Sequence, residues 1–412
     1  MERAQETGLR GVELDVDLQP WHLIAPEFPP QCGGVGDYTD RLARALAEAG
    51  QPVQVWCPGR EAARTEREGI VVHRSMGGFT PRDLRWLSAA LKAWPGPRRL
   101  LVQWVPHGYG YRSMNVGFCL WLWNRSRRHG DRVEVMVHEP YLPFRRDNWR
   151  QSAAAVLHRL MSIILLQAAR KVWVAIPDWE RRLRRYKLGR RLAMVWSPVF
   201  SNVPIVRDWE RILTLRRKYV EPEGALIGHF GTYGPETSRF LQVLLPALLE
   251  DERVSVVLVG KDSDRFRQQF VRRRPGLPRL CATGLLDQVE TSLHLSACDL
   301  WIQPYADGVS GRRSSTLAVI SHGQAVVTTS GPATESVWAA SGAVALVPAG
   351  DWGAFLQQAR ELLRDGDARR RLGEAARRLY LEHLDVSHTV RRLMDGEPAH
   401  RISATATHGR RT

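Results

Sequence analysis

The sequence predicts an α/β protein built from two doubly wound parallel sheets in tandem. Three observations carry that expectation. The chain has 412 residues, and at roughly 100–200 residues per domain it needs two cores. Short apolar runs alternate with helix-periodic segments twice over, the pattern of parallel strands joined by crossover helices. Between the two sets, residues 196–207 (WSPVFSNVPIVR) break both periods with two prolines and an asparagine.

Taken in order, residues 21–25 (WHLIA) form a continuous apolar run suited to a buried strand. A glycine loop follows, then a helix over 37–49, where Tyr38, Leu42, Ala45, Leu46 and Ala49 share one face and Gly50 supplies the stop. Further strands are expected at 53–56, 100–105, 133–138 and 171–176, with amphipathic helices at 156–170 and 179–187. After the break, strands at 226–230, 254–260, 300–304 and 325–329 alternate with helices at 239–250, 291–298 and 314–322. Two helices, 353–363 and 367–383, complete the pattern. The expected domains are residues 1–203 and 204–393, with the polar segment 394–412 as a disordered tail.

Composition narrows the function classes. The net charge of +16 comes from 59 basic against 43 acidic residues, and only five of the basic residues are lysine. That arginine skew, beside abundant alanine, fits a GC-rich coding bias, so the charge does not name a partner, although it suits anionic ones. Aromatics are scattered through core segments and are not interleaved with a basic stripe, which argues against nucleic acid. Cys32, Cys57, Cys119, Cys281 and Cys298 are widely spaced and odd in number, so neither a disulfide framework nor a thiolate metal site is expected. The first twenty residues contain no apolar signal-peptide core, and the longest apolar stretch, 161–166, is far short of the ~20 residues that span a bilayer. The expectation is a cytoplasmic protein that at most rests on the cytosolic membrane face, with the basic run 181–191 as the candidate for contact with anionic lipid.

In doubly wound sheets, ligands collect at the carboxyl ends of the strands. Four loops there carry chemistry. The first, 31–37 (QCGGVGD), brings Gly33, Gly34 and Gly36 before a helix whose N-terminal N–H groups suit an anion, with Asp37 at its end; a tight turn is the plainer reading. The second and third, 104–110 and 137–141, place His107 and His138 after strands, where imidazole can bond a hydroxyl or phosphate, or act as acid or base. The fourth, 304–315 (PYADGVSGRRSS), sets Arg312 and Arg313 at a helix entry, a pattern suited to forked bonds with a diphosphate. No His, Cys or Asp cluster has metal-ligand spacing.

Taken together, these loops resemble the retaining glycosyltransferases of GT-B fold, family 4 (group 1). Residues 26–38 (PEFPPQCGGVGDY) are similar to that family's glycine loop, and 227–231 (IGHFG) to the opening strand of its nucleotide-sugar domain. Residues 299–304, 322–327 and 331–337 are similar to its "adv.v.PS", "G.PVV" and "gg.pEvv" segments. The resemblance runs from about Trp21 to Leu393. It implies two Rossmann-like domains facing a cleft, a nucleotide diphosphate-sugar donor held by the second and an acceptor by the first. It also implies metal-independent transfer with retention and no further cofactor, with His138 touching the donor sugar and Glu335 one of its hydroxyls.

Two departures stand out. The family's paired glutamates fall here on Ser310 and Ala318, although aligning Asp307 with the first restores an acid at the cost of inserted residues. The Arg and Lys that follow the family's opening strand are missing from 231–237 (GTYGPET). Arg312, Arg313 and Lys261 are then the cations nearest by sequence to stabilise a departing diphosphate. Transfer in cell-envelope, polysaccharide or small-molecule glycosylation is the leading reading. A sugar-nucleotide epimerase and a non-catalytic binder of nucleotide-sugar or protein stand as alternatives.

Overall fold

The computed structural model describes residues 19–31, 33–59, 63–110 and 114–395. The segment expected to be a disordered tail lies outside these residues, except for its first two positions, which continue the last helix.

The first sheet is assembled from β1 (Trp21–Ile24), β2 (Val53–Pro58), β3 (Ala63–Arg67), β4 (Ile70–Met76), β5 (Arg99–Trp104), β6 (Arg132–Val137), β7 (Lys171–Val174) and β8 (Ala193–Trp196). Its order is β3-β4-β2-β1-β5-β6-β7-β8, and β3 alone runs antiparallel to its neighbour. Connecting helices are α1 (Gly34–Glu48), α2 (Pro81–Ala90), α3 (Val116–Arg128), α4 (Trp149–Ala168) and α5 (Pro177–Arg184). The central strands bury residues on both sides, which is why they read as continuous apolar runs. β3 (ARTER) is exposed throughout; its polar sequence hides it from a hydrophobicity scan, and the turn at Glu68-Gly69, both at positive φ, folds it back on β4.

The second sheet comprises β9 (Ala225–Phe230), β10 (Val254–Val259), β11 (Leu280–Ala282), β12 (Leu300–Gln303), β13 (Val326–Ser330) and β14 (Ala345–Pro348), in the order β11-β10-β9-β12-β13-β14. All its pairings are parallel. Its helices are α6 (Trp209–Tyr219), α7 (Pro235–Leu248), α8 (Ser263–Arg273), α9 (Gln288–Ala297), α10 (Ser314–Ser321), α11 (Ser336–Ala340), α12 (Trp352–Arg364), α13 (Gly366–Leu379) and α14 (Val386–Asp395).

The architecture is thus two parallel α/β layers, as the sequence predicts. The chain's last helix returns to the first layer, where α14 packs on α1. On the way, the Ser201 backbone N–H donates to the Tyr380 hydroxyl (3.1 Å) and Ser197 meets Thr389 (3.4 Å). The segment between the sheets is therefore clamped from the C-terminal side.

Candidate active site

A cavity of about 390 Å3 opens where the carboxyl ends of the two sheets face each other. From the first layer come Glu27, Gly33, Gly34, Tyr38, His107 and His138; the connecting segment adds Phe200 and Asn202; the second layer adds Arg312 and Ser314. Five residues singled out from sequence thus meet in one place: Gly33, Gly34, His107, His138 and Arg312.

The glycine loop is shorter than its sequence suggests, because Gly34 and Gly36 already belong to the first turn of α1. The Val35 and Gly36 N–H groups there are not free for an external anion. Glu27 reaches back so that its Oε1 accepts from the Val35 and Gly36 N–H groups at 2.9 and 3.0 Å, placing a carboxylate at the positive end of the helix. Gly33 is required by this arrangement, since a Cβ there would overlap the Glu27 carboxylate. Asp37 sits behind the cavity wall and accepts from Asn202 Nδ2 at 3.2 Å. Its pKa is raised by burial, with the Glu27 charge adding to the effect. Sequence reasoning overlooked Glu27; the available signal was an acid close before a helix entry with no Ser, Thr, Asp or Asn cap.

His138 follows β6 and is positioned from three sides. Its Nε2 lies 2.9 Å from Gln103 Oε1, its ring meets the edge of Tyr38 at 4.7 Å, and its carbonyl accepts from Trp179 Nε1 at 3.1 Å. Burial lowers its pKa to about 4, so at neutral pH the ring is uncharged and acts as one donor and one acceptor. His107, in a single 3-10 turn (Pro106–Gly108), lies 3.5 Å from Glu139 at the cavity rim. Tyr38 stacks on Phe200 at 4.3 Å, which ties the α1 entry to the connecting segment.

In the second layer, Asp307 sits between the two arginines. Arg312 Nη2 donates to its Oδ2 at 2.5 Å and Arg313 Nη2 to its Oδ1. Burial pushes the Asp307 pKa up, but the guanidinium groups of Arg313 and Arg312 outweigh it and hold the carboxyl below its usual range. Asp307, singled out from sequence as a catalytic acid, has both oxygens engaged and acts here as the anchor of the arginine pair. Arg312 also stacks on Trp179 of the first layer (5.4 Å) and Arg313 on Tyr305 (4.2 Å). The buried Nε of each arginine has no protein partner.

The loop carrying these arginines is fixed from behind. Gly308, at φ +87°, leaves no space for a Cβ against Thr334 and Gly331. Val199 N–H donates to the Gly311 carbonyl at 2.7 Å, and the Gly311 N–H donates to Glu335 at 3.0 and 3.1 Å. Glu335 also accepts from Trp338 Nε1 at 2.9 Å. Its carboxylate, assigned to a sugar hydroxyl by the resemblance, holds the loop in this structure. Ser310, at the position of a family glutamate, is wholly buried and its Oγ has no partner. Lys261 is exposed after the Val259 end of β10 and does not line the cavity.

Burial pushes the Glu335 pKa up from 4.5 to about 7, only partly offset by the hydrogen bonds from Gly311 and Trp338 and by the Arg312 charge. The folded protein thus binds this proton more tightly than the unfolded chain. The resulting stability is fully present below about 4.5 and is lost as pH rises through about 7. Glu335→Gln removes the titration, so wild-type Tm should fall relative to the variant across that window. Parallel Tm–pH curves would disprove the linkage.

Residues 32–199 match the model of Glycosyltransferase Family 4, and residues 225–365 match that of Glycosyl transferases group 1. No curated protein matches the chain. Among solved structures, the chain is similar to a sucrose-phosphate synthase from Thermosynechococcus elongatus, with 16% identity, 92% of this chain and 98% of that chain covered, and a TM-score of 0.69. It is also similar to HepE from Anabaena in complex with UDP and glucose (13% identity, 92% and 99% covered, TM-score 0.63). A third is a UDP-forming α,α-trehalose-phosphate synthase from Burkholderia xenovorans in complex with glucose-6-phosphate (13% identity, 92% and 99% covered, TM-score 0.64). Two facing parallel α/β layers, a cavity between their strand ends and family matches over both layers lead to one conclusion: the chain belongs to the family 4, group 1 glycosyltransferases of GT-B fold.

Proposed function

We propose that this protein transfers a sugar, with retention and without a metal, from a nucleoside diphosphate-sugar to a hydroxyl acceptor in cell-envelope, polysaccharide or small-molecule glycosylation on the cytoplasmic side. The observation that carries the reading is the Arg312–Asp307–Arg313 cluster at the entry of α10, with Arg312 lining the same cavity as His138. A diphosphate leaving group gains negative charge as its bond to the sugar breaks. Preplaced guanidinium groups and the N–H groups of a helix entry stabilise that charge without reorganising. Gly231, after β9, approaches Ser315, so backbone and helix entry converge where a diphosphate would lie. Neutral His138 suits hydrogen bonding to a sugar hydroxyl, and its low pKa excludes a standing positive charge there at neutral pH. Uridine is the first base to try, since the Anabaena and Burkholderia proteins are named with UDP.

Thermal shift against a panel of nucleoside diphosphates and their sugars, with and without chelator, tests the reading. A ligand that binds only the folded state at a hundredfold excess over Kd adds about 2.7 kcal/mol of stability. Stabilisation by one nucleotide family, unchanged by chelator, is expected; no shift across the panel would count against it. A non-catalytic binder is the second reading, because Ser310 and Ala318 are wholly buried and leave no carboxylate at the paired-glutamate positions. Donor binding without sugar transfer or donor hydrolysis would select it.

A further inference from the structure

The solvent side of α4 is apolar, whereas a helix on one face of a sheet normally turns polar residues outward. Ala155, His158, Ser162 and Leu165 face the interior. On the opposite side, Trp149, Val156 and Leu160 are 75%, 59% and 45% exposed, with exposed Ala153 between them. This i, i+4, i+7, i+11 spacing makes a single stripe. Phe144, 57% exposed, extends it beyond the helix entry, held there by the Arg159 guanidinium 3.9 Å over its ring. Arg159 is itself fixed by donation to the Leu142 and Ala155 carbonyls at 3.2 and 2.6 Å. On α3, which packs along α4, Leu120 and Trp123 are also exposed. Leu120 continues into an apolar groove of about 490 Å3 between α2 and α3, rimmed by Arg85 and Lys92.

The charge on this face is mostly positive; an exposed carboxylate, Asp147, lies between Phe144 and Trp149 and is paired with Arg145 at 3.0 Å. Neither α3 nor α4 contains an Asp or Glu. Arg146 and Arg150 are exposed at the α4 entry, and Arg127 and Arg128 at the end of α3. The basic run at 181–191 is adjacent, because the turn at 185–187 packs on α4. Within that run, Arg181, Arg182 and Arg184 are paired with Asp178 and Glu180, so it contributes less charge than its sequence suggests. Aromatic and aliphatic side chains flanked by an excess of arginines are complementary to an anionic bilayer surface: the rings enter the headgroup region and the guanidinium groups meet phosphates. No described helix is long and apolar enough to cross a membrane, so the contact is interfacial.

We propose that the α3–α4 face, centred on Phe144, Trp149, Val156 and Leu160, docks this protein on anionic lipid. Crossover helices run antiparallel to their strands, so the α4 entry lies at the same edge as the strand ends that line the cavity. Glu139 at the cavity rim precedes Phe144 by a few residues, and docking sets the cavity mouth beside the bilayer. The inference stands on the surface alone and does not depend on the transferase chemistry.

The experiment is sedimentation of the full chain with vesicles of phosphatidylcholine alone and of phosphatidylcholine mixed with phosphatidylglycerol. Wild type should pellet with the mixed vesicles only. Arg146→Ala and Arg150→Ala should each lower the partition coefficient about fivefold. The combined variant Trp149→Ser, Val156→Ser, Leu160→Ser should abolish pelleting while keeping wild-type circular dichroism and the same nucleotide-induced thermal shift, if there is one. The proposal is overturned if wild type pellets equally with both vesicles, stays in the supernatant with both, or if the combined variant pellets like wild type. It is also overturned if wild type is a dimer by light scattering that the combined variant dissolves, since the stripe would then belong to a second copy.

Discussion

Replacing Arg312 and Arg313 together by alanine is expected to lower kcat on the order of 10²–10³-fold, the scale seen when preorganised groups facing a developing charge are removed. The pair is held before any substrate arrives: Asp307 bridges both guanidinium groups, and Trp179 and Tyr305 support their planes. Lysine at either position keeps the charge but loses the fork and the stacking, so Arg312→Lys and Arg313→Lys should recover only part of the loss. Asp307→Asn should also lower kcat, because the arginines would lose their common anchor while gaining net charge. Steady-state turnover and donor affinity, measured beside Tm, separate this from simple unfolding. Undiminished turnover in the double alanine variant with intact folding would remove the pair from the mechanism.

Asp131→Asn should destabilise the first layer by about 3–5 kcal/mol, the usual cost of removing one partner from a buried ion pair. The Asp131 carboxylate is buried and accepts from Arg125 Nε at 2.7 Å, Arg98 Nη1 at 3.2 Å and the Arg98 backbone N–H at 3.1 Å. It thus joins the end of α3 to the approaches of β5 and β6, the strands that lead to Gln103 and His138. Asparagine leaves the buried Arg125 guanidinium without its counter-charge. Tm should drop on the order of 10 °C, read by calorimetry. Replacing Asp131 and Arg125 together (Asp131→Leu with Arg125→Met) should restore only part of the loss: it removes the stranded Arg125 charge, but leaves Arg98, whose guanidinium and backbone N–H also donate to Asp131, without that acceptor. A single variant that melts like wild type would contradict the account.

The sheets were legible because parallel strands bury both faces and therefore leave unbroken apolar runs, as at Val254–Val259. β3 was not, because an exposed edge strand has no hydrophobic pattern to betray it; β4, β8, β11 and β14 were missed too, the last three being only three or four residues long and β4 being only half-buried over residues 73–75. The same divide runs through the candidate site. Gly33, His107, His138 and the two arginines stood out because residue type and position after a strand are local properties. Their partners did not stand out. That Glu27 fills the α1 entry, that Asp307 is consumed by Arg312 and Arg313, and that Glu335 reaches the Gly311 N–H depend on where loops from different strands meet.

By itself, then, the sequence determined the two-layer architecture, the family and the loops that face the cavity. Periodicity and turn chemistry act over a few residues and are written along the chain. Only the tertiary structure decided which carboxylate satisfies which donor, and which helix side is left without a cover. A buried N–H or guanidinium must be paired, but several acids lie within reach of sequence logic, and packing brings only one of them to hydrogen-bond distance.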